Sequence, residues 1–144
     1  MGFRLALLFL LAVNANAALT LHIQNPFRND VGKSEYMLHI LGGTTNYNPE
    51  YGETSITRMN TEGNGWFSYT WDKSISDFAN WHNFTVNACP NTSDNNYNTT
   101  NCVAWKDSAG KTLEFKMLLL FVADSEIWLY TDAKGSYEKS FVPP

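Results

Sequence analysis

Residues able to do chemistry are few and scattered. His22, His39 and His82 each stand alone in the chain. His22 and His39 fall on two early strand-like segments. A shared face would let them meet a metal, whereas isolated strand histidines are half-exposed and inert. Cys89 and Cys102 are too far apart for a zinc knuckle. Asp72, Asp77, Asp107, Asp124 and Asp132 lie in turn-like stretches. Two carboxylates across a cleft can hydrolyse a glycoside, but carboxylates in turns are expected to be solvated caps. No G-x-S-x-G, H-E-x-x-H or phosphate-cradling glycine loop occurs. The chain therefore reads as non-enzymatic, with no cofactor and no metal site.

Aromatic side chains offer a different chemistry, and the chain has five Trp and seven Tyr. An exposed indole presents a flat apolar surface that matches the C–H face of a pyranose. In "WFSYTW", Phe67, Tyr69 and Trp71 share one face, and Trp66, Ser68 and Thr70 the other. Phe67, Tyr69, Trp71 and Ile127 are expected in the core. Trp66, Trp128 and Tyr130 then fall on the opposite face as candidate sugar platforms. Trp81 and Trp105 flank a polar loop and form the alternative pair.

That loop is "NACPNTSDNNYNTTNC", residues 87 to 102. Asn91-Thr92-Ser93 and Asn98-Thr99-Thr100 are N-glycosylation signals, and Asn83-Phe84-Thr85 adds a third just upstream. The opening "MGFRLALLFLLAVNANA" has a basic Arg4, an apolar run from Leu5 to Val13 and a small-x-small site at Ala15-Asn16-Ala17. It reads as a signal peptide over residues 1–17, with the run too short for a bilayer of about 30 Å. In an oxidising compartment two cysteines predict one disulfide, Cys89–Cys102, at the base of a long glycosylated hairpin loop. Asn83, Asn91 and Asn98 are the expected glycan sites in a eukaryotic-type secretory pathway.

Removing residues 1–17 leaves 127 residues, the size of one domain over 18–144. It also takes Arg4 from ten basic residues, leaving nine against fourteen acidic ones and a net charge of −5. Nucleic acid and anionic membranes are unsuited to such a surface. The closing "SFVPP" is no lipid-anchor tail. The expected product is soluble and extracellular, with no membrane anchor.

The elements that must position these residues read as strands. "LTLHIQNPF" alternates Leu19, Leu21 and Ile23 against Thr20, His22 and Gln24, and Pro26 ends it. "EYMLHIL" follows, closed by Gly42-Gly43; then come "SITRM", a Gly-Asn-Gly turn and "WFSYTW". "HNFTVNAC" sends Phe84 and Val86 inward and Asn83 and Thr85 outward. "TLEFKMLLLFVAD" is expected as two strands or one long bent strand, and "EIWLYTD" and "SYEKSF" complete the set. Seven to nine short strands with polar turns predict an all-β, antiparallel, immunoglobulin-like β-sandwich.

Several of these segments resemble carbohydrate-binding modules of the starch-binding kind, including pullulanase-associated modules. "LHIQNPF" resembles their first strand, "YMLHILGG" the second, "GNGWFSYTW" the alternating aromatic strand and "EIWLYTDAKGSYEKSF" the closing segment. The resemblance implies a β-sandwich that binds an α-glucan-like polysaccharide without catalysis. The pattern's stacking Trp in the second strand has no counterpart here, where Tyr36, Met37 and His39 stand. Another possibility is a structural extracellular glycoprotein, a surface-coat or filament subunit that self-assembles by strand exchange, with "ALTLHIQNPF" as donor strand. The partner is a polysaccharide or glycan in the first case and a second copy in the other.

Overall fold

Alternation of period two builds the first sheet. In β1 (Leu19–Gln24), Leu19, Leu21 and Ile23 are buried and the residues between them only partly so. Each fully buried aliphatic chain of this kind contributes about 1.5–3 kcal/mol. The structure, a computed structural model, describes residues 18–42, 56–90, 101–122, 125–131 and 136–144. The leader at 1–17, the sequons at Asn91 and Asn98, and Asp124 and Asp132 lie outside the described residues.

The remaining strands are β2 (Met37–Gly42), β3 (Ile56–Arg58), β4 (Asn60–Gly63), β5 (Trp66–Trp71), β6 (Asn83–Cys89), β7 (Val103–Ala104), β8 (Phe115–Lys116), β9 (Glu126–Thr131) and β10 (Tyr137–Ser140). They form an all-β sandwich. The first sheet has the order β10-β9-β1-β5-β4. The second has the order β3-β2-β6-β7, with β8 also paired to β6. The count of ten among the described residues exceeds the expected seven to nine because several strands are only two to four residues long. Pairing is antiparallel except between β1 and β9, which run parallel with His22 beside Trp128. β1 thus lies between β5 and β9 of its own chain.

The chain changes sheets at Met59. β3 pairs with β2 in the second sheet and β4 with β5 in the first. Met59, 2 % exposed, plugs the core between them, a corner of the kind that joins two packed layers. Strands β1, β2, β5, β6 and β9 supply most of the core, including Leu38, Ile40, Phe67, Trp71, Phe84, Val86, Ile127 and Leu129. Tyr69 is partly buried against it.

The run at 117–122 departs from the expected strand. Only Phe115–Lys116 pairs, and Met117–Leu120 makes one helical turn, α1, with Phe121 N–H donating to the Met117 carbonyl at 3.1 Å. Met117, Leu120 and Phe121 are buried at spacings of three and four, the helical period.

Cys89 and Cys102 are joined, with Cα atoms 4.2 Å apart. They follow directly on the last ladder pair of β6 and β7, Ala88 with Val103. The disulfide therefore clamps the base of the loop, and it suits an oxidising, non-cytosolic environment. Among the described residues no helix is long and apolar enough to cross a membrane.

Candidate functional site

The outer face of the first sheet gathers the aromatic residues left over from the core. Cross-strand register sets Gln24 opposite Trp66, and His22 between Trp128 on β9 and Ser68 on β5. On β10, Glu138 lies opposite Tyr130 and Ser140 opposite Trp128. Alternation turns Trp66, Trp128 and Tyr130 away from Phe67, Ile127 and Leu129, which are buried. All three are partly buried, not freely exposed. Trp66 and Tyr130 meet edge to face across the central strand, with centroids 5.3 Å apart.

Each indole has one small neighbour across the ladder. Trp66 faces Gly63 on β4, where an added Cβ would meet nothing within 4 Å. Trp128 has Ser140 on one side and on the other the His22 ring, stacked at 4.6 Å with planes 4° apart.

His22 is held from both edges. Its Nδ1 lies 2.6 Å from a Glu62 carboxylate oxygen and its Nε2 2.6 Å from one of Glu126. Each ring nitrogen thus faces its own carboxylate. Glu62 reaches His22 from β4 over Ser68, and Glu126 reaches it from β9. Thr20 and Thr70 share a hydroxyl hydrogen bond of 3.0 Å on the same face. Both ring nitrogens are already engaged by carboxylates, so neither is open to a nucleophile. The two carboxylates sit at opposite edges of the ring and do not converge on one point. Among the described residues no group of three or more His, Cys, Asp or Glu is placed to hold a metal ion.

No family model matches the chain, and no curated protein or solved structure matches it.

The other expected residues lie elsewhere. Trp105 is 2 % exposed and packs against Phe115 and Tyr137, at 5.5 and 5.9 Å, so burial removes it as a sugar platform. Its backbone N–H donates to the Val86 carbonyl, which puts it beside an inward residue of β6. Trp81 is 47 % exposed and lies over His82 at 3.8 Å. The His82 Nδ1 accepts from Ala79 N–H at 2.6 Å, which places its proton on Nε2.

His22 and His39 do not share a face, because β1 and β2 belong to different sheets. His39 is buried beneath the second sheet and donates through Nδ1 to the Met37 carbonyl at 3.0 Å. Burial holds it below the ordinary histidine value of 6.5; the Met37 hydrogen bond opposes this and Arg58 adds to it. Asp77 and Asp107 do cap turns. Asp77 accepts from Ser74 N–H, and Asp107 accepts from the N–H groups of Ala109 and Lys111. Asn83 is partly exposed on the second sheet, its amide donating to Glu114 at 3.3 Å.

His22, Glu62 and Glu126 were not expected at this site. The alternation of β1 marked His22 as outward, and Glu126 is two residues from Trp128 on the same face. Nothing in the sequence announced the parallel β1–β9 pairing, which brings them together.

Proposed function

We propose that this chain is a secreted glycoprotein that binds carbohydrate, an α-glucan-like polysaccharide, on the outer face of its first sheet and performs no catalysis of its own. The observation that carries this is the convergence of Trp66, Trp128 and Tyr130 on one face, with Gly63 and Ser140 as small flanks. Stacking on an indole face buries roughly 100 Å² of apolar surface, or about 2–3 kcal/mol. Two such platforms, after association costs, give a dissociation constant on the order of 0.1–1 mM. The α-glucan comes from the resemblance to starch-binding modules. Secretion comes from the leader motif and agrees with the disulfide.

Retention on an insoluble α-glucan column tests this. The wild-type protein should be retarded, and Trp128→Ala should elute earlier while keeping its fold. Elution of the wild type at the void volume from every polysaccharide tried would refute the proposal. Strand-exchange assembly finds less support. β1 is paired on both sides in its own sheet. At the sheet's edges β4 carries a bulge and β10 an inward Lys139, both devices that discourage edge-to-edge pairing.

A further inference from the structure

The charge of the same face selects among glycans. The outward positions of the first sheet are Thr20, His22 and Gln24 on β1, Asn60 and Glu62 on β4, Trp66, Ser68 and Thr70 on β5, Glu126, Trp128 and Tyr130 on β9, and Glu138 and Ser140 on β10. Among these described residues three are glutamates and none is Lys or Arg. Lys139 on β10 turns inward, its ammonium donating to the Leu120 carbonyl. Arg28, beyond the end of β1, gives its guanidinium to the Asn25 carbonyl and to Thr131. The face therefore carries a net negative charge even with His22 as imidazolium.

The glutamates are placed to use that charge. Glu62 and Glu126 each engage His22 through one oxygen, and their side chains keep 32 % and 50 % of their surface open to solvent. The second oxygen of each remains as an acceptor beside the Trp128 ring. An ammonium group arriving there would gain charge-assisted hydrogen bonds from the carboxylates and attraction to the indole face. A carboxylate or sulfate would be repelled.

We propose that the preferred ligand is an amine-bearing glycan, a polymer containing unacetylated amino sugars, seated with its sugar faces on Trp66 and Trp128 and its ammonium groups on the outer oxygens of Glu62 and Glu126, one at each edge of the His22 ring. This rests on the glycan-binding role of the face, and it replaces the α-glucan, which carries no amine, with a charged substrate class.

Calorimetric titration with three hexamers tests it: β-1,4-linked glucosamine, its fully N-acetylated counterpart and maltohexaose. At low salt the glucosamine hexamer should bind about tenfold more tightly than either neutral one, the effect of one to two partly exposed charge contacts. The advantage should disappear at about 1 M salt, where the screening length is about 3 Å. It should disappear also in the Glu62→Gln, Glu126→Gln double variant and persist in Glu35→Gln, which removes an acid elsewhere. Equal or tighter binding of a neutral hexamer would overturn the amine preference and leave the glycan-binding role standing. An advantage lost equally in Glu35→Gln would show diffuse attraction of a polycation to an acidic protein, and would overturn it too. Binding of none of the three would remove both the preference and the role on which it rests.

Discussion

At the scale of single residues, the five tryptophans divide by which face of a strand they occupy. Trp71 and Trp105 are core residues at 6 % and 2 % exposure, whereas Trp66 and Trp128 are half-buried on an outer face. Trp105→Ala should cost about 3–5 kcal/mol in urea unfolding. Trp66→Ala should cost only about 1–2 kcal/mol, since it loses the edge contact to Tyr130 and part of its burial. Equal losses would mean that Trp66 is a core residue. The sequence assigned Trp66 to its face by alternation alone. Trp105 is legible too, through the disulfide. Once Cys89 and Cys102 are paired, stepping inward along both strands sets Trp105 opposite Val86 and so inside. His39 brings a pH dependence. Its folded pKa is depressed, so its contribution to stability is fully present above pH 6.5, the unfolded value, and declines as pH falls toward the folded value. Stability measured from pH 8 to pH 5 should therefore slope downward below about 6.5, and His39→Gln should flatten part of that slope. An identical slope in the variant would assign the titration to other groups.

Among elements, the β6–β7 ladder and its disulfide form the most constrained unit. Closing a loop of this length restricts the unfolded chain, so Cys89→Ser should lower stability by about 3 kcal/mol while the sandwich still forms. Loss of all cooperative unfolding in that variant would show that the ladder, and not the shared core, holds the second sheet. The strands with strict alternation, β1 and β5, could be read directly from the residue order. α1 could not. Its buried Met117, Leu120 and Phe121 carry a helical period, but Leu119 and Val122, at 67 % and 66 % exposure, are equally apolar and erase it. β3 lies within "SITRM", but β4 escapes the pattern, because Asn60, Thr61, Glu62 and Gly63 include no apolar residue to alternate. The parallel contact of β1 with β9 joins distant parts of the chain, and local pattern holds no information about it.

Over the whole molecule, the proposed binding face and the Asn83 sequon belong to different sheets. The aromatic and acidic face belongs to the first sheet. Asn83 belongs to β6 of the second sheet, and the loop with Asn91 and Asn98 leaves from the far end of the same strand. A glycan on Asn83 therefore projects from the opposite side of the sandwich. Asn83→Gln, made in a eukaryotic secretory host, should lose a glycan by mass and keep its retention on polysaccharide; lost retention would mean that the second sheet takes part in binding. The sandwich architecture followed from strand patterning, and the placement of both faces needed the strand order. Nuclear magnetic resonance of the five indole N–H signals during titration with a soluble α-glucan oligosaccharide tests the binding face most directly. The Trp66 and Trp128 signals should shift in a saturable way while those of Trp71 and Trp105 stay fixed; movement confined to Trp81, or no movement with any glycan, would contradict it.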